Sequence, residues 1–165
     1  MAVSTTQAIW RSGGGDQSRT AYCGTGLMVA QFYFDPTAAA GNKVQVSSTN
    51  TAKVILPAGA VIVQINANAA ATGGTDPTFD MGYTLYTSGT ATNAGLLNEA
   101  DADVGKQVFT WATATVPGAG LGAVMSATEM VYITGNVGAS AATGGSVSGQ
   151  ILYYVTDPFL GQQNV

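Results

Sequence analysis

The chain has 165 residues and a formal charge of −4, with five Lys or Arg, nine Asp or Glu, no histidine and one cysteine. That inventory excludes hydroxyl–histidine and thiol–histidine catalysis and zinc sites built from several Cys or His ligands. It also excludes an internal disulfide, and it lacks the clustered cations that nucleic-acid phosphates require, so no nucleic-acid partner is expected.

One domain fits the length, with enough buried surface for a self-sufficient core. Charged residues make up 8% of the chain, against about 25% in ordinary soluble domains. The exterior is therefore tiled with Thr, Ser, Asn, Gln, Gly and Ala. Short neutral side chains lose little rotamer entropy and hydration when covered. The composition thus points to a subunit packed against other subunits.

Residues 1–10 (MAVSTTQAIW) carry no basic residue ahead of their few apolar ones, and no apolar run approaches the roughly 18 residues of a membrane span. Neither a signal peptide nor a membrane partner is expected. Glycine clusters at 12–15 and 24–26 leave residues 1–26 without helix or strand periodicity, which reads as an extended arm. Cys23 within it reads as a small buried hydrophobe. The first 53 residues hold four cations against two acids, and the remainder holds one against seven. Trp10, Arg11, Arg19 and Tyr22 are accordingly the arm residues expected to dock on an acidic partner or a sister copy.

Residues 27–158 read as an antiparallel β-sandwich and 159–165 as a C-terminal tail. The run 27–34 (LMVAQFYF) is a strand closed by Asp35-Pro36. Further strands are expected over 43–48, 52–56, 61–67, 81–87, 107–113, 129–136 and 150–156, with turn clusters between them. Period-two alternation places Val61, Val63 and Ile65 on one core face, and Val131 and Ile133 on another. Pro57-Ala-Gly59 reads as a turn with proline at its second position. Only 95–104 (GLLNEADADV) has helical potential, and 118–127 (GAGLGAVMSA) reads as an apolar glycine-rich loop lying against another surface.

The pentapeptide AATGG occurs twice, at 70–74 and 141–145, each time between two strands. Two long hairpins with similar tips are expected, on the same end of the sandwich. Thr72, Gly73, Gly74, Thr143, Gly144 and Gly145 are the partner-binding residues assigned to those tips.

Catalytic chemistry is left with carboxylates alone. Asp76, Asp80, Glu99, Asp101, Asp103, Glu129 and Asp157 form the pool, and no spacing selects an acid–base pair. Glu99, Asp101 and Asp103 followed by Gly105 suggest a hard-cation loop, but the later bidentate Glu of a calcium loop is missing. No cofactor is expected. Tyr132, Tyr153, Tyr154, Trp10 and Trp111 read as core or interface anchors, with sugar stacking as the alternative.

Four segments carry a family likeness: 56–62 (LPAGAVI), 80–83 (DMGY), 132–138 (YITGNVG) and 150–155 (QILYYV). They resemble the small β-sandwich or jelly-roll virion proteins of tailed bacteriophages, head decoration (cement) proteins in particular. The resemblance implies a non-enzymatic structural protein, a homotrimer seated on the outer surface of the head where major capsid protein subunits meet. It brings no catalytic residue. The rival expectations are a receptor- or carbohydrate-binding module of a phage tail or cell surface, and a minor capsid or tail component.

Overall fold

The computed structural model describes residues 27–110 and 120–156. The arm 1–26, with Trp10, Arg11, Arg19, Tyr22 and Cys23, lies outside the described residues, as do Trp111 and the tail 159–165.

Eight strands follow one another, with no helix among the described residues: β1 Met28–Phe34, β2 Ile55–Leu56, β3 Ala60–Thr72, β4 Thr78–Leu85, β5 Ala91–Asp101, β6 Gly105–Thr110, β7 Val131–Val137 and β8 Gly144–Val155. They form two four-stranded antiparallel sheets, ordered β1-β8-β3-β6 and β2-β7-β4-β5. The pairs β1–β8, β2–β7, β3–β6 and β4–β5 are nested in sequence, while β8–β3 and β7–β4 join them side by side. This is one long hairpin rolled over on itself, the eight-strand jelly roll.

Side-chain alternation fills the space between the sheets. Phe32, Phe34, Ile62, Ile65, Val147 and Ile151 from the first sheet meet Leu56, Phe79, Met81, Leu96, Leu97, Val131 and Ile133 from the second. Phe34 ties them most closely. Its ring stacks with Phe32 at 6.3 Å and meets the edge of Phe79 at 5.8 Å. It also lies over Gly135, where an added Cβ would come within 2.7 Å of the ring.

Val131 and Ile133 occupy the core as expected. The β3 alternation breaks instead, because a bulge between Ile62 and Gln64 shifts the face, so Ile62 and Ile65 point inward and Val63 is only half-buried. The helical potential of 95–104 is overridden. Leu96, Leu97 and Ala100 are buried in β5, where bulges opposite Phe79–Met81 and Met81–Tyr83 and a left-handed Glu99 (φ 55°) disguise the strand period. Residue 57 opens its turn rather than taking the second position: the Pro57 carbonyl accepts from Ala60 N at 3.2 Å, and Gly59 supplies φ 79°.

Backbone bridges tie the two sheets together on both sides of the sandwich. Residues 43–48 and 52–54 make isolated bridges rather than full strands, because their partners belong to different sheets. Gln45 exchanges hydrogen bonds with Tyr33 of β1 (2.7 and 2.8 Å), while Val44 N donates to Ile133 O of β7 and Val44 O accepts from Val54 N. On the other side, 120–126 runs along the start of β3. There Gly122 N donates to Ile62 O, Met125 N to Ala60 O, and Gly120 N reaches Gly95 O of β5. The surface against which the 118–127 loop lies is thus, from Gly120 on, the chain's own body. These bridges meet the terminal strands of the sheets at Tyr33 of β1 and Gly95 of β5.

Replacing Gly135 with Ala forces Phe34 out of its packing. A loss of about 1–3 kcal/mol is expected, the range for overpacked cores, measured by urea unfolding. An unchanged midpoint would refute this account of the inter-sheet contact.

Candidate functional site

The two AATGG segments lie at the same end of the molecule, but not as hairpin tips. Each crosses between sheets, β3 to β4 and β7 to β8, because the sheet partner of β3 is β8 and that of β7 is β4. The repeats meet each other. Ala71 pairs with Gly145 and Thr72 with Gly144, and Thr143 gives both its N–H (2.9 Å) and its hydroxyl (3.0 Å) to the Thr72 carbonyl.

Glycine is required by this crossing. Gly73 and Gly74 hold φ of 67° and 87°, Gly145 holds 107°, and a Cβ on any of the three would strike the opposite repeat. Thr72, Gly73, Gly74, Thr143 and Gly145 remain exposed and Gly144 half-exposed. The end they build is ordered by the chain itself. Gly145→Ala is expected to destabilise by at least about 1 kcal/mol, combining positive-φ strain with overlap on Ala70 and Ala71, again read by denaturant unfolding.

The acidic stretch does not assemble as a cation loop. Among the described residues no group of three or more His, Cys, Asp or Glu side chains is placed to hold a metal ion. Glu99 donates its backbone N–H to Asp80 Oδ1 at 2.7 Å, and Asp103 N–H binds Asp101 Oδ1 at 3.1 Å. The Asp103 carboxyl is held above the ordinary aspartate value, first by a hydrogen bond shared with Asp101, then by desolvation and by repulsion from Asp101 and Asp76.

Two surface features stand out, one on each sheet. On the outer face of the second sheet, Tyr86 and Tyr132 stack at 5.1 Å and 22°, and Lys43 Nζ sits 3.9 Å above the Tyr132 ring. Desolvation, with Tyr86 beside it, pushes the Tyr132 hydroxyl above the ordinary tyrosine value. Ile55, register partner of Tyr132, and Met130, whose carbonyl accepts Tyr86 N, extend the patch. Tyr86, Met130 and Ile55 are 46%, 43% and 40% exposed.

Glu129 braces this platform. Its carboxylate accepts from Thr87 N (2.7 Å), Ser88 N (3.1 Å) and Ser88 Oγ (3.1 Å), fixing the turn after Tyr86.

On the first sheet, a trough of about 600 Å³ runs across the outer face. Register aligns its side chains in rows. One row is Gln31, Gln150, Asn66 and Val108, and the next is Tyr33, Ser148, Asn68 and Lys106. The turn after Val46, with Ser47 and Ser48, stands at the β1 side. Sequence reading passed over these residues because an outward Asn or Gln on a strand looks like ordinary surface; only alternation of amides along 64–68 (QINAN) hinted at a common face.

No protein-family model, curated protein or solved structure matches the chain.

Hydrogen bonds to the anion, foremost from Thr87 N–H, lower the Glu129 carboxyl below the ordinary glutamate value. The unfolded chain therefore holds that proton more tightly than the folded one. The resulting stabilisation is present above the ordinary glutamate value and disappears as pH falls through the depressed folded value. Glu129→Gln is expected to melt earlier than wild type at neutral pH and to converge with it in strong acid. Parallel melting curves at every pH would refute the brace.

Proposed function

We propose that the chain is a structural virion subunit, a head decoration or cement protein that forms a homotrimer and attaches to the major capsid protein on the outer surface of the phage head. The observation that carries the reading is the Tyr86–Tyr132 platform on a jelly roll with a charge-poor exterior. Tyrosine and methionine are the residue types that concentrate at interface centres, whereas Lys, Glu and Asp are depleted there. Here Lys43 is drawn onto a ring, and the surrounding apolar area is left open to a partner.

The fold supports the same reading. A jelly roll presents two broad sheet faces, and attachment through such a face suits a subunit seated on a lattice. Jelly rolls serve viral capsids among other roles, an analogy at the level of fold. The sequence resemblance points the same way. A second apolar strip, Leu27 and the first two residues of β1, Met28 and Val29, is 57%, 37% and 56% exposed and continues directly from residues 1–26.

Function then follows from mass action. A subunit that binds only the expanded shell stabilises that state in proportion to its occupancy. Three linked copies, each contributing a weak site, multiply the affinity through effective concentration.

Light scattering of the full chain is expected to give the mass of three subunits. Met130→Glu, which places a charge in the platform, is expected to reduce trimerisation or attachment while the melting temperature stays near wild type. A monomer at high concentration, indifferent to Met130→Glu and inert toward purified phage shells, would overturn the reading. Deleting residues 2–26 is expected to leave a folded sandwich that coats shells more weakly, and unchanged coating would remove the arm from the mechanism.

A further inference from the structure

The trough on the first sheet is chemically unlike the platform on the second. Its lining combines amides and hydroxyls that register sets side by side, Gln31, Gln150 and Asn66 in one row and Tyr33 and Asn68 in the next, with the apolar Val46 and Val108. Lys106 is the only ionised side chain among the lining residues. We propose that this trough is a binding site for a neutral oligosaccharide, independent of the virion reading and of the Tyr86–Tyr132 platform.

Four strands about 4.8 Å apart give the floor a width of about 14 Å, and successive rows lie about 7 Å apart along the strands. The volume of about 600 Å³ falls within the range of drug-sized ligand sites, about 300–1,000 Å³. The trough therefore accommodates a short chain of sugar rings rather than a single small ion.

The lining selects among ligands. Each Asn or Gln amide offers two donors and two acceptor lone pairs in one plane. A hydroxyl both donates and accepts, so an amide array matches a polyhydroxyl ligand whichever way each hydroxyl turns. With one cation and no carboxylate in the lining, a polyanion gains little and a polycation nothing. A protein partner would ask for aromatic and aliphatic anchors at the centre of its footprint. Here the centre is Asn66 and Gln150, and the apolar Val46 and Val108 stand at the margins, on the β1 and β6 sides.

Preorganisation adds to the fit. Gln64 Nε2 donates to Asn66 Oδ1 at 2.6 Å, orienting that amide. Tyr33 stands at one end of the trough with its backbone locked to Gln45 by two hydrogen bonds. Its ring offers an apolar surface for the C–H face of a pyranose, while its hydroxyl stays polar. Strand backbones fix where these residues stand, so binding has to order only their side chains.

The test is calorimetric titration of the full chain with neutral hexaoses of the gluco, manno, galacto and N-acetylglucosamine types, against hexagalacturonate as the anionic comparison. At least one neutral hexaose is expected to bind. Asn66→Ala and, separately, the exposed Gln150→Ala are expected to weaken it by about tenfold or more, with unchanged melting temperatures, and Tyr33→Ala similarly. Tyr86→Ala on the other sheet is expected to leave sugar affinity unchanged while acting on assembly, which separates this site from the platform. Absence of binding by every neutral hexaose, preference for hexagalacturonate, or binding indifferent to both amide variants would overturn the proposal. So would loss of self-association in the amide variants without any sugar bound, which would assign the face to a second copy of the chain.

Discussion

The fold depends on one ladder. β3 and β8 share twelve register pairs, from Ala60↔Val155 to Thr72↔Gly144, and every other element takes its place from them. β1 and β6 flank this ladder within the sheet, while the crossings at its AATGG end lead to β4 and from β7 in the second sheet. Partners in the ladder are far apart in the chain, so its formation closes a long loop whose entropy must be recovered by packing. Recovery comes from Ile65, Ile151 and Val147, which this ladder turns into the core together.

Two unlike surfaces follow from that arrangement. Because each sheet has one face committed to the core, alternation hands the remaining residues to solvent in register. On the first sheet the outward set of β3 and β8 at the trough is amide and hydroxyl. On the second, β7 and the turn after β4 present aromatic rings and methionine. The chemistry of each face is thus decided by which sheet a strand joins, and a shift of one residue in β3–β8 would exchange core and trough.

Much of the fold was legible as sequence. Asp35 stops β1 as its composition suggested, accepting from Thr37 N and Oγ1, and the core positions of β7 follow simple alternation. β5 was illegible for a definite reason. Its bulges and left-handed Glu99 break the two-residue period, leaving Leu96, Leu97 and Ala100 at a spacing that suits a helix equally well. The repeats at 70–74 and 141–145 were visible, yet sequence could not say that they pair with each other, since pairing is set by the register of the entire ladder. The platform was half legible: Tyr132 stood out, but Tyr86, Met130 and Lys43 join it only through the β4–β7 pairing and the bridge from Lys43 to Thr134.

The nested pairing also orders events at the ribosome. β4 and β5 can close as soon as both have been synthesised, and β6 can then pair with β3 and β7 with β4, but the first sheet lacks β8, which joins β1 to β3, until the final strand emerges. Throughout translation β3 therefore carries a bare edge along Val61 to Ile65, the kind of β-branched stretch that seeds intermolecular pairing. Its continuation into Asn, Ala and Thr from Asn66 onward limits how far such a mispairing can spread. A nascent chain halted before Gly144 would thus be the species most in need of a chaperone.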